Sequence, residues 1–252
     1  MIPLRDDNPT SRFPILTVLL IAANIFIFAF VQPHGTQSEL RFDLQHAAIP
    51  CEIVQGKPLT RAEIVTGQCE PHLVTANPLA EQPVFRHKNV FLAVVVSMFL
   101  HGSWFHVLGN MLFLWIFGNN VEDRLGSFGF AIFYLVAGIA AAAAHTAANS
   151  GSLAPFVGAS GAIAGVMGVY FVFWPRARVL TWLTFLLIIF VYLPAWFVLG
   201  VWVVLQFFTN PNSGVAWVAH VGGFATGVLV ALVLQRVLPP PRPRVTPRGP
   251  WV

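Results

Sequence analysis

The chain has 252 residues, of which 56% are hydrophobic and only 10% charged, with a net charge of +4 and a mean hydropathy of +0.72. A soluble domain carries about 25% charged residues, so this much apolar surface excludes a single water-soluble core and makes the lipid bilayer the solvent for much of the chain. The basic residues are spread thinly or gathered in the last residues, which excludes a nucleic-acid-binding surface and fits membrane orientation.

Residues 1–12 read as a cytoplasmic N-terminus. Phe13–Val31 is the first of six segments near or above the ~20 residues that a bilayer requires. No small-residue cleavage site follows it, so it is expected as a retained helix. Residues 32–88 are polar, rich in proline and mixed in charge, and hold both cysteines, Cys51 and Cys69. On the outer side of the membrane these two are candidates for a disulfide that staples the loop. Phe91–Leu100 is apolar but too short to span, and is expected as an interfacial or re-entrant piece. The other spans are Ser103–Val121, Phe128–Ala148, Phe156–Trp174, Val179–Phe208 and Val215–Leu238. The fifth is long, and Pro194 within it predicts a kink and a candidate lateral gate. The tail 239–252 is rich in proline and arginine and reads as a disordered cytoplasmic end. The expected fold is an all-α membrane protein, a six-transmembrane-helix bundle. Nine of the 14 basic residues fall inside if both termini are cytoplasmic, and the two short outer loops hold none.

Polar groups within apolar spans cost free energy, so each is a candidate functional residue. They are Asn24, His106, Asn110, His145, Ser160, Gln206 and His220, with His101 just ahead of the second span. Helices two, four and six all start on the outer side, and Asn110, Ser160 and His220 lie roughly 6–11 Å below that surface. His106 sits one turn before Asn110 on the same face. Gly161 and Gly165 in helix four, and Gly223 and Gly227 in helix six, give smooth faces that let the two backbones approach. Those faces carry Ser160 and His220. Beyond Asp123 the chain has no Asp or Glu, and lysine occurs only at positions 57 and 88, so the spans contain neither an acid for a triad nor a lysine base. What remains is a Ser–His dyad: Ser160 as nucleophile and His220 as general base, then acid. Asn110, His106 and the Ser160 N–H are the oxyanion candidates.

The segments HGSWFHVLGN (101–110), VEDRLG (121–126), GASG (158–161) and AHVGGFATG (219–227) resemble the motifs of the rhomboid intramembrane serine proteases, in the family's order and over about 89–238. The resemblance implies a six-helix catalytic core with no cofactor and no metal, which cleaves transmembrane helices of protein substrates near the outer surface. It implies Ser160 and His220 as the dyad and His106, Asn110 and the Ser160 amide as the oxyanion site. It also makes Gly158, Glu122 and Arg124 structural, the last two anchoring the inner end of helix two and the following loop. Two positions depart from the family pattern. Ala164 stands where many members carry a tyrosine stacked on the catalytic histidine, so another group must orient His220. Leu92 and Ala93 stand where members often carry a Trp–Arg pair.

The rival readings are a metal site built from His101, His106, His145 and His220, which lacks HExxH and any accompanying carboxylate; a non-catalytic relative that binds transmembrane helices; and a channel or transporter, disfavoured by the absence of acids in the spans. The implied location is a bacterial inner membrane. Oligomeric state and physiological substrate are not encoded in these motifs.

Overall fold

The computed structural model describes residues 1–70, 79–183, 189–210 and 215–238. The expected disordered tail, 239–252, lies outside them. Chain order is β1 (Ile2–Asp6), α1 (Ile15–Phe26), α2 (Thr36–His46), α3 (Pro50–Gln55), α4 (Arg61–Thr66), α5 (Val90–Ser97), α6 (Trp104–Phe113), α7 (Asn119–Ala148), α8 (Ser160–Phe173), β2 (Arg178–Leu183), β3 (Ile189–Pro194), α9 (Ala195–Gln206) and α10 (Trp217–Val237). A wider π turn, Ile27–Val31, extends α1, and another, Leu114–Gly118, joins α6 to α7.

Helix α8 is the axis of the bundle. Every residue from Gly161 to Tyr170 is buried, because α8 has α7 on one side and α10 on another. The contact with α10 is made backbone to backbone: a Cβ on Gly223 would overlap the carbonyl oxygen of Gly161, and one on Gly227 that of Gly165. Without a hydrophobic driving force between helices in lipid, such close approach is what lets dispersion hold them together. Large apolar side chains such as Phe13, Phe30, Phe105 and Phe128 remain exposed around the outside, as a lipid-facing surface requires. Two continuous stretches among the described residues are apolar and long enough to cross a bilayer, Trp104–Ala148 and Trp217–Val237. The first is divided at Gly126, whose φ of 72° and ψ of 157° break the helix. The second helix therefore runs past Val121 to about Leu125 before the chain turns back.

Three expectations are corrected. The fold is not wholly helical: β1, β2 and β3 form an antiparallel sheet in that order. Ile2 pairs with Trp182 and Asp6 with Val179, while Arg178–Leu183 pairs with Ile189–Pro194. Val179–Phe208 is consequently not one long helix. Its described residues form the second and third strands followed by the 12-residue α9, and Pro194 caps that helix with extended backbone rather than kinking it. The strand residues are apolar, β-branched and aromatic, and such a run has the hydropathy of a buried helix. Finally, the fourth helix begins at Ser160, not Phe156. Gly158 has a φ of +127°, a conformation open to glycine and not to residues with a Cβ, so the chain enters the helix through a sharp turn.

The described residues of the segment 32–88 hold α2, α3 and α4, with Cys51 bonded to Cys69. Its core holds a buried ion pair, Lys88 Nζ to Glu52 at 2.5 Å, both side chains 2% exposed. The segment is tied to the loop ahead of α8. Phe156 N–H donates to Ala48 O at 3.0 Å and Cys51 N–H to Ser152 O at 3.1 Å. Ser97, at the end of α5, joins both sides: its Oγ accepts from Ala48 N at 2.6 Å and its carbonyl from Gly158 N at 2.9 Å.

Candidate active site

Ser160 is the first residue of α8. The first N–H groups of a helix have no intrahelical acceptor and carry the positive end of its dipole, so the Ser160 N–H is positioned to bind an anion. His220 lies in the first turn of α10, which starts at Trp217. The glycine contacts between α8 and α10 bring the two side chains together: Ser160 Oγ and His220 Nε2 are 2.7 Å apart. Both are half-buried.

They open into a cavity of about 560 Å³. Its polar lining includes His106 and Asn110 of α6 with Ser160 and His220, and its floor is apolar, with Phe113, Ile163 and Met167. Asn110 is 8% exposed and its Nδ2 has no hydrogen-bond partner among the described residues. A buried amide N–H₂ left unpaired is costly, and one facing a cavity beside a hydroxyl and an imidazole is a donor waiting for an acceptor. His106 packs against the serine loop, since a Cβ on Gly158 would meet its Cε1 and Nε2 at 2.8 Å. Gly158 is thus required both by its dihedral and by the imidazole it touches. The ring of His101 stands edge-on to His106, with centroids 5.1 Å apart. Gln32 fixes the His101 backbone, accepting from its N–H at 2.9 Å and donating to its carbonyl at 3.1 Å. His145 packs on Phe156 instead, with centroids 4.9 Å apart.

Two groups hold the His220 ring. Gln206 Oε1 lies 2.7 Å from Nδ1, and the Trp202 ring packs against the imidazole at 5.7 Å between centroids, inclined by 37°. Ala164, four residues after Ser160, is fully buried. Gln206 is among the polar residues that hydropathy singles out, but its partner is not legible in the sequence. The one available signal is an amide at the end of an otherwise apolar helix.

The remaining predicted residues lie toward the other end of α6 and α7, away from Ser160 and His220. Glu122 is 3% exposed. It accepts from Leu16 N at 2.9 Å, Thr17 N at 2.7 Å, Thr17 Oγ at 2.8 Å and Ser127 Oγ at 2.6 Å. One carboxylate therefore caps α1 and secures the turn after Gly126. Arg124 lays its guanidinium over Phe173, 4.8 Å from the ring centroid. The N-terminal strand docks here as well, through Asp6, which accepts from Tyr170 Oη at 2.5 Å and Asn120 Nδ2 at 2.9 Å.

Residues 88–237 match the family model of the Rhomboid domain. The chain belongs to the rhomboid family. As a rhomboid it is a helical, membrane-embedded protein. It is 28% identical over 166 residues to Rhomboid protein 1, mitochondrial, of Saccharomyces cerevisiae, an alignment covering 61% of this chain and 44% of the yeast protein. It is 34% identical over 141 residues to RHOMBOID-like protein 4 of Arabidopsis thaliana, covering 54% of this chain and 32% of that one. Rhomboid-like protein 11, chloroplastic, of the same plant is 37% identical over 75 residues, covering 30% and 26%. This rhomboid thus spans less than half the length of each of these curated relatives.

Proposed function

We propose that this rhomboid is a serine endopeptidase that hydrolyses peptide bonds in or near the transmembrane helices of other proteins. The observation that carries the reading is the 2.7 Å contact between Ser160 Oγ and His220 Nε2, at the wall of a cavity that also holds the unpartnered amide of Asn110. His220 takes the Ser160 proton as the oxygen attacks the scissile carbonyl. The carbonyl oxygen, now negative, is held by Asn110 Nδ2, the Ser160 N–H and His106. His220 then returns the proton to the leaving amine, and water releases the acyl group by the same route in reverse. An intact helix hides its carbonyls in hydrogen bonds, so the substrate is a membrane span that unwinds at the cut, with small or helix-breaking residues there.

The topology that goes with this reading is six crossings with both termini cytoplasmic, in a bacterial inner membrane, with residues 32–88 outside. The Cys51–Cys69 bond supports an oxidising side for that segment. The cavity is lined in part by Ser103 and Phe105, at the start of α6, and by Val215, ahead of α10.

The test is cleavage of a single-span substrate in liposomes, with fluorophosphonate labelling alongside. Wild type is expected to cleave and label, Ser160→Ala to do neither, and His220→Ala to lose cleavage. Wild-type protein that neither cleaves nor labels is instead a binder of transmembrane helices.

A further inference from the structure

The last residue of α9 is Gln206, and it faces against the trend of its surroundings. Val204 and Leu205 before it, and Phe207 and Phe208 after it, are all more than half exposed, whereas Gln206 is 9% exposed. A buried amide is costly unless its oxygen and its N–H₂ are both engaged. Gln206 engages both. Nε2 donates to the carbonyl oxygen of Trp202 at 3.1 Å, and Oε1 meets Nδ1 of His220 at 2.7 Å.

These two contacts together settle a protonation state. A backbone carbonyl only accepts, so the group facing Trp202 O is the N–H₂ end of the amide. The oxygen end then faces the imidazole. An amide oxygen also only accepts, so Nδ1 of His220 carries the hydrogen. In a neutral imidazole the other nitrogen is then bare, and Nε2 is ready to accept the hydrogen of Ser160 across 2.7 Å. The polarity of one helix carbonyl is passed through Gln206 and His220 to the serine. Trp202, one turn earlier on the same helix, packs against the imidazole with ring centroids 5.7 Å apart, a second contact from α9 on the same ring. In hydrolases with a triad an acid does this work. Here no acid follows Asp123, and a neutral amide gives the same orientation without placing a second charge in a poorly solvated site.

We propose that Gln206 is a positioning residue of the Ser160–His220 pair, fixing the tautomer and the angle of the imidazole, so that the working unit is Ser–His–Gln. The proposal rests on the protease reading, and its test separates the two. Kinetics are measured in proteoliposomes on a single-span substrate for wild type, Gln206→Leu and Gln206→Glu, with fluorophosphonate labelling rates. Losing a hydrogen bond that orients the base is expected to lower kcat and the labelling rate of Gln206→Leu about tenfold to hundredfold with KM nearly unchanged. Gln206→Glu keeps the acceptor and adds charge, which favours imidazolium, so activity is retained and the acidic limb of its kcat/KM profile moves to higher pH. Nitrogen NMR of histidine-labelled protein, with the His220 signal identified by its loss in His220→Ala, gives a readout independent of activity: hydrogen on Nδ1 in wild type, and a mixture of tautomers in Gln206→Leu. Gln206→Leu turning over and labelling like wild type overturns the positioning role and leaves the protease reading intact. An inactive wild type with Nδ1 protonated overturns the protease reading and keeps the tautomer assignment. Hydrogen found on Nε2 in wild type overturns the inference outright.

Discussion

Glu122 closes the N-terminus of a helix that begins more than a hundred residues earlier, its Oε2 accepting from both the N–H and the hydroxyl of Thr17 at 2.7 and 2.8 Å. A helix start leaves N–H groups unpaired, and in a bilayer-facing bundle no water is certain to reach them. The carboxylate fills that need and matches the positive end of the helix dipole. Its fourth partner, Ser127, lies just past the Gly126 break, so one side chain joins the first helix to the return between the second and third. Glu122→Gln places donors against donors at this point. A loss of about 2–4 kcal/mol is expected, seen as a lower thermal unfolding midpoint in detergent, while fluorophosphonate labelling at permissive temperature persists because the serine is at the opposite end.

Among the described glycines the tightest fit is at Gly227, where an added Cβ would overlap the Gly165 carbonyl oxygen. Gly227→Val must push α10 away from α8, and overpacking of this kind costs about 1–3 kcal/mol or more. Since Ser160 and His220 ride on those two helices, labelling and cleavage are expected to fall together. Wild-type labelling in Gly227→Val would show that the pair does not depend on this contact.

Asn110 is the proposed oxyanion donor whose loss is most readily read. Asn110→Ala is expected to slow cleavage by about 3 kcal/mol in barrier with little change in KM, less than Ser160→Ala. Equal rates for Asn110→Ala and wild type would remove Asn110 from the oxyanion site.

In the segment that holds the disulfide, burial pushes the Glu52 carboxyl up and the Lys88 ammonium down, yet the two remain in contact at 2.5 Å. Lys88→Met leaves a buried carboxylate alone and is expected to destabilise by about 3–5 kcal/mol. The double change Lys88→Met with Glu52→Leu is expected to recover most of that loss, because it is the unpaired charge and not the absent pair that is costly. Calorimetry of the four proteins completes the cycle.

Asp43, on α2, supplies a pH test. Burial, with the nearby Glu39 charge adding to it, pushes its carboxyl up to about 6, and its Oδ1 has no hydrogen-bond partner among the described residues. A folded value above the unfolded one means that protonation favours the fold. The stabilisation is complete below about pH 4 and is lost as pH rises through about 6. Asp43→Asn lacks this dependence, so wild type should lose stability relative to it between pH 4 and 7. The side chain is only half-buried, which limits the difference to about 1–2 kcal/mol after screening. Parallel pH profiles of the unfolding midpoint would rule out an elevated carboxyl at this position.

Much of this molecule is legible in its sequence, because lipid makes every polar residue in an apolar run conspicuous and only glycine permits backbone contact between helices. Those two facts select Ser160, His220, Asn110 and the faces that bring α8 to α10. They do not reveal the sheet. Ile2–Asp6 is too short to announce itself, and its partner strands lie within an apolar run whose hydropathy is the same for strand and helix. Nor does the sequence say what holds His220. Gln206 is visible as an amide out of place, but only the packing of α9 against α10 puts its oxygen on Nδ1 and the Trp202 ring against the imidazole. Hydropathy is a property of segments and local spacing. Which nitrogen of a histidine carries the hydrogen is decided by a carbonyl on another helix, and that relationship exists only once the chain has folded.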